Sequence, residues 1–149
     1  MRQKDERKLI QTDLAWLLQQ PESVERDHIE EILRANRTQA KSDRLRVYIA
    51  GPYTSGDIGA NVRAAIDAGN SLAAVGYHVF IPHLDHFWHL IHPHEWEFWI
   101  AHDLGWLSLC HYFVRLPGES RGADLEESRA RELGITVTMV DELLKRSVE

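Results

Sequence analysis

The stretch Arg46-Val47-Tyr48-Ile49-Ala50-Gly51-Pro52-Tyr53 decides the fold. Five residues, mostly β-branched, aromatic or small and apolar, run into Gly51-Pro52, the signature of a short buried strand that opens directly into a loop. The residues that follow repeat the theme. Over 61–75, Val62, Ala65, Ile66, Ala68, Gly69, Leu72 and Ala73 recur at helical spacing, with a small-residue face that can lie close to a sheet, and Gly76 ends the run. A second strand is expected over 78–82 and a histidine-rich loop after it. A helix over 94–109, a third strand over 112–116 closed by Pro117-Gly118, a helix over 123–133, a fourth strand over 135–140 and a terminal helix from Asp141 complete the pattern. Strand and helix alternating in this way predict an α/β fold with a mostly parallel sheet and helices on both faces. Ligands of such sheets bind outside the carboxyl ends of the strands. Three loops leave those ends, at 51–59, 83–93 and 117–122.

Upstream of Arg46 the pattern differs. Leu9, Ile10, Leu14, Leu17 and Leu18 predict a helix ended by Pro21, and Ile29, Ile32 and Leu33 a shorter one. Residues 1–42 are therefore expected to be an N-terminal helical extension, and 43–149 the α/β domain. Two helices this short cannot bury an apolar stripe by themselves and need the domain or another subunit to pack on.

Composition narrows the functions. The 149 residues carry a formal charge of −6, with ten Lys/Arg against nine Asp/Glu in 1–46 but seven against fourteen in 47–149. An acidic body argues against non-specific nucleic-acid binding, which depends on Lys and Arg displacing counterions from phosphates. A single cysteine, Cys110, excludes an intrachain disulfide, and no apolar run has the length of a membrane span or the plan of a signal peptide. A soluble, cytoplasmic protein with no membrane partner is expected.

The chemistry-bearing residues fall in the three loops and the helices beside them. Gly51, Gly56 and Gly59 allow close backbone approach, Tyr53, Thr54 and Ser55 offer hydroxyls, and the helix beyond presents its N-terminus to an anion. In the third loop Ser120 and Gly122 precede a helix on which Ala123, Glu126 or Glu127, Ala130 and Leu133 share a face, so that a carboxylate interrupts a small apolar stripe. A helix-start Glu can merely stabilise the macrodipole, but the same position also suits a nucleophile kept ionised. Asp103 repeats the anomaly among Trp96, Trp99, Ile100, Leu104 and Leu107. Two inward carboxyls on neighbouring elements are what glycosidic cleavage by nucleophile and acid/base requires. Ahead of Asp103 lies His83-Leu-Asp-His-Phe-Trp-His-Leu-Ile-His-Pro-His-Glu-Trp-Glu-Phe-Trp99. It holds five of nine histidines and three of five tryptophans. His83, Asp85, His86, His89, His92 and His94 could supply zinc ligands. Interleaved aromatic rings also suit the wall of a pocket for a flat base, with His83, His86 and Trp88 as the contacts, or simple packing.

Tyr48-Ile49-Ala50-Gly51-Pro52-Tyr53, Asp103-Leu104 with Trp106-Leu107, and Ser120-x-Gly122-Ala123-x-x-Glu126 with Ala130 together resemble the nucleoside 2-deoxyribosyltransferase superfamily and its nucleotide N-glycosidase branch, over roughly residues 46–140. The resemblance implies a Rossmann-like, usually oligomeric enzyme that cleaves the N-glycosidic bond of a nucleoside or nucleotide without a metal or cofactor. It implies Glu126 as the nucleophile that forms a glycosyl ester, and Asp103 as the group that holds the sugar and assists protonation of the leaving base. It also implies that Gly51, Tyr53, Ser55, Ser120 and Gly122 hold the 5′ end, where Arg63 or Arg121 would neutralise a phosphate. Glu127-Ser128 stands where many members have Leu-Gly, so Glu127 is the alternative nucleophile. Two other readings stay open at this level: a non-catalytic nucleotide-binding module acting through its N-terminal helices, and a metal-dependent hydrolase built on the histidines.

Overall fold

A computed structural model describes residues 27, 28, 30, 31, 34 and 45–146. The first of the two expected helices lies outside these residues, as does most of the second. The chain divides into two compact units, residues 1–43 and 44–149, and the second carries the sheet.

That sheet has four strands, all parallel, in the order β2-β1-β3-β4: β1 (Arg46–Ala50), β2 (His78–Phe80), β3 (Tyr112–Arg115) and β4 (Thr136–Thr138). Helix α1 (Ile58–Ala74) follows β1, α2 (Asp85–Ile91) and α3 (Trp96–Leu107) follow β2, α4 (Arg121–Glu132) follows β3, and α5 (Val140–Arg146) follows β4. This is the expected Rossmann-like α/β arrangement. The period of two along β1 divides its side chains between the faces. Val47 and Ile49 join Ala65 and Leu72 of α1 and Leu143 of α5, while Tyr48 and Ala50 join Leu107 of α3 and Ala123 and Ala130 of α4. Tyr48 thereby points toward the helices that carry the two anomalous carboxyls.

Three expectations need correction. The segment after β2 is not a loop: Pro82–Leu84 forms a single 3₁₀ turn and Asp85–Ile91 a helix. No Gly or Pro lies between Leu84 and Ile91 to interrupt helical hydrogen bonding, and Pro82 suits the first position of the turn. Helix α1 starts three residues earlier than its apolar pattern, because the Asp57 carboxylate accepts the Ala60 N–H at 2.7 Å and caps it. Strand β4 is shorter than its apolar run, since its ladder with β3 spans three residues and α5 takes up Val140.

Because β1 sits between β2 and β3, the chain leaves β1 in one direction and returns on its other side. The crevice at this switch point is where doubly wound sheets bind ligands. The loops after β1 and β3 meet there: a Cβ added at Gly118 would lie 2.6 Å from Pro52 Cγ, and Gly118 itself has φ +115°. Gly118→Ala combines a left-handed backbone with a clash against a stiff ring, and is expected to cost about 2 kcal/mol in a urea denaturation.

Candidate functional site

A cleft of about 500 Å³ opens at the carboxyl edge of β1 and β3. Of the residues singled out from sequence, Gly51, Tyr53, Ser55, His83, His86, Asp103, Ser120, Gly122 and Glu126 line it. Trp88 does not. Its ring sits edge-on against Phe98, Trp99 and His102, and Trp96 and Trp99 take the place at the wall that was expected of it.

Glu126 projects from the second turn of α4, whose first turn is fixed by the Ser120 hydroxyl accepting the Ala123 N–H at 3.2 Å. The side chain is only 6% exposed, and the Tyr48 hydroxyl donates to its Oε1 at 2.8 Å. Burial pushes the carboxyl up to about 7, against the Tyr48 hydrogen bond and the Arg115 charge, both of which favour the anion. Burial and the facing Glu126 hold the Tyr48 phenol well above its usual range, so it stays a donor. Glu127 points elsewhere: Arg131 donates to its Oε1 at 2.7 Å, and Arg115 Nε lies 3.7 Å from its Oε2. Of the two candidate nucleophiles, Glu126 is the one that reaches the cleft.

Asp103 faces Glu126 from α3 and is also 6% exposed. Its carboxyl is pushed up to about 8, first by burial, then by the charges of Glu126 and Asp85 and by a hydrogen bond shared with Asp85. Two buried carboxyls facing each other cannot both ionise freely, and they titrate as a pair. The ordering that burial and neighbours impose is definite in direction: Tyr48 and Arg115 favour the anion at Glu126, whereas every neighbour of Asp103 favours the acid.

The histidines serve the wall of the cleft. His83 is buried, with Nε2 at 2.8 Å from the Pro52 carbonyl, and burial lowers its tendency to protonate. That carbonyl only accepts, so Nε2 carries the hydrogen. His86 Nδ1 lies 2.6 Å from the Tyr53 hydroxyl. Trp99 donates its indole N–H to His89 Nδ1 at 2.9 Å, and His94 stacks on Phe98 at 3.8 Å. His83, His86, His89 and His94 are thus spent on backbone, hydroxyl and ring partners rather than aimed at one point. Among the described residues, the close group of potential metal donors is a different set, Asp85, His102 and Asp103, whose side-chain donors approach within 4.8 Å of one another. Three donors are one fewer than a closed zinc site takes.

Of the two arginines considered for a phosphate, only Arg121 lines the cleft, its guanidinium 4.8 Å from the centre of the Trp96 ring. Arg63 pairs with Asp67 on the exposed side of α1, away from the cleft. Sequence reasoning missed two supporting residues. Tyr48 belongs to the strand and to the motif of the resemblance without a role of its own there, although period two from Ala50 places it toward α4. Asn61 donates to the carbonyls of Tyr53 and Ser55, both at 2.8 Å, and shapes the first loop.

Fold and cleft together define an α/β protein with a cleft at the switch point of a parallel sheet, furnished with two buried acids and an aromatic wall. The chain belongs to the family described as a domain of unknown function (DUF4406), whose model matches residues 45–139 and so covers every element that forms the cleft. No curated protein matches the sequence. No helix among the described residues is long and apolar enough to cross a membrane.

Proposed function

We propose that this protein cleaves the N-glycosidic bond of a nucleoside 5′-monophosphate or nucleoside through a covalent glycosyl-Glu126 intermediate, by hydrolysis or by transfer to another base. The observation that carries the reading is the pair Glu126 and Asp103: two buried carboxyls in one cleft, both raised by burial, with neighbours that favour the anion at the first and the acid at the second. The Tyr48, Asp103 and Ser120 to Glu126 motifs, similar to those of the nucleoside 2-deoxyribosyltransferases, support the same assignment.

In the first step a Glu126 oxygen attacks the anomeric carbon as the bond to the base nitrogen breaks. The electron pair leaves with the base, and Asp103 supplies its proton. In the second step water attacks the same carbon, its proton passes to Asp103, and Glu126 departs as carboxylate. When a second base takes the place of water, its N–H returns the proton. The rings of Trp96, Trp99 and His94 offer the base a stacking surface. The Ser120 loop, with Arg121 at the start of α4, suits a 5′-phosphate, since helix N-termini favour anions. The proposal includes a cytoplasmic homo-oligomer that needs no metal or cofactor. An exposed apolar face on α2, formed by Phe87, Leu90 and Ile91, supports the subunit contact.

The test is incubation with ribo- and 2′-deoxyribonucleosides and their 5′-monophosphates, with and without a second free base, followed by chromatography of the bases. Release is expected, fastest from a monophosphate, and exchange confined to reactions with added base means transfer. A folded protein that binds nucleotides and releases no base would instead be a binding module.

A further inference from the structure

We infer that Asp85, His102 and Asp103 form a binding site for one zinc-like divalent cation, and that the bound ion switches the cleft off. The binding site stands on the geometry alone; the inhibition rests on the glycosidase reading. Asp85 opens α2 directly after the Pro82–Leu84 turn, and His102 and Asp103 are consecutive on α3. One donor atom from each lies within 4.8 Å of the other two, and His102 Nε2 is 4.0 Å from Asp85 Oδ2. Bond lengths of about 2.0–2.2 Å put two donors on one tetrahedral ion roughly 3.5 Å apart, so the group has to draw in by about 1 Å to close on it.

Two buried oxygens call for an ion there. Asp103 is 6% exposed, and its Oδ1 is sealed from water with no hydrogen-bond partner. Asp85 Oδ2, the atom that faces His102, is in the same condition. Among the described residues, the one ion pair that either carboxyl forms is this contact between Asp85 and His102. Buried acceptors left without a donor are costly, and a single cation satisfies both oxygens together. The His102 ring is set edge-on against Trp88 at 5.4 Å and lies parallel to Phe98 at 6.4 Å, packing that holds the third donor in place. An imidazole beside two carboxylates suits zinc better than magnesium, which prefers oxygen donors and keeps its waters. Asp85 and Asp103 line the cleft, so the ion stands at its wall. A carboxylate bound to that ion carries no proton for a leaving base, and Asp103 is thereby taken out of the reaction.

The test is calorimetric titration of the full chain, stripped with chelator, with zinc chloride, run on wild type, Asp85→Asn and His102→Gln. The control is His92→Gln, which changes an exposed histidine outside the cleft. Wild type and His92→Gln are expected to bind one equivalent of zinc alike, and Asp85→Asn and His102→Gln to bind it roughly a hundredfold more weakly or worse. Either of those two variants serves if the other does not fold. Magnesium is expected to bind far more weakly than zinc, and equal affinity overturns the choice of metal. No zinc binding, or binding that His92→Gln removes and Asp85→Asn leaves intact, overturns the site. In base release zinc is expected to inhibit wild type half-maximally at the calorimetric dissociation constant. His102→Gln is expected to need about a hundredfold more, each protein being compared with its own rate in chelator. Activation by zinc, or an unchanged rate at full occupancy, overturns the inhibition. Stoichiometric binding lost in Asp85→Asn, in a protein that releases no base from any substrate, upholds the site and removes the glycosidase reading.

Discussion

Glu126→Gln is expected to lower base release by roughly a thousandfold or more while leaving the protein folded, because it removes the carboxylate proposed to attack the sugar. Gln keeps the side chain's length, and its carbonyl oxygen can still accept from the Tyr48 hydroxyl, which now donates at 2.8 Å. The variant also no longer has to bury a carboxylate that is 6% exposed, so its thermal midpoint is expected to equal or exceed that of wild type. The neighbouring change, Glu127→Gln, is the control. Glu127 is tied to Arg131 and Arg115 outside the cleft, and its loss is expected to leave turnover within a few-fold. Reversal of the two results would transfer the nucleophile to Glu127.

The second large effect concerns Asp103 and pH. With Glu126 titrating near 7 and Asp103 near 8, the competent form, anion on Glu126 and proton on Asp103, is most populated between those values. A narrow bell in kcat/KM is expected, rising as Glu126 loses its proton and falling as Asp103 loses its own. Asp103→Asn is expected to reduce the rate by about 10²- to 10⁴-fold and to abolish the alkaline limb, with the smallest loss for bases that leave readily without a proton. Stability should move in the opposite sense. A carboxyl raised to about 8 in the fold binds its proton more tightly there than in the unfolded chain. Its contribution is fully present below the ordinary Asp range near pH 4 and is lost as pH rises through about 8. Asp103→Asn is free of that loss, so its thermal midpoint is expected to gain on wild type from pH 5 to about pH 8 and to hold that gain above it.

Much of the fold and of the lining of the cleft was legible in the sequence, for physical reasons that also mark where legibility ended. The run from Val47 to Ala50 is apolar without alternation, as a strand covered on both faces must be, and it lies at the centre of the sheet. Glu126 and Asp103 stood out because each interrupts an apolar helical stripe, and both line the cleft. The choice between Glu126 and Glu127 could not be read from spacing, since it turns on Arg115 and Arg131 drawing Glu127 away, and Arg115 comes from β3. Helix α2 was missed because histidine and tryptophan have middling helix propensity and the segment is only seven residues long. With α2 goes the position of Asp85, which spacing alone places among possible zinc ligands and not beside Asp103. Trp88 was misplaced for the same reason: on a helix its ring turns toward Phe98 and His102 instead of into the cleft.

The most direct measurement is proton NMR of the sugar product formed from a β-nucleoside 5′-monophosphate in buffer containing methanol, which captures the glycosyl group before it can change anomer. Attack by Glu126 followed by attack of solvent inverts the anomeric carbon twice, so base release accompanied by the β-methyl glycoside is the predicted result. The α-methyl glycoside, or no released base at all, would contradict a covalent intermediate on Glu126.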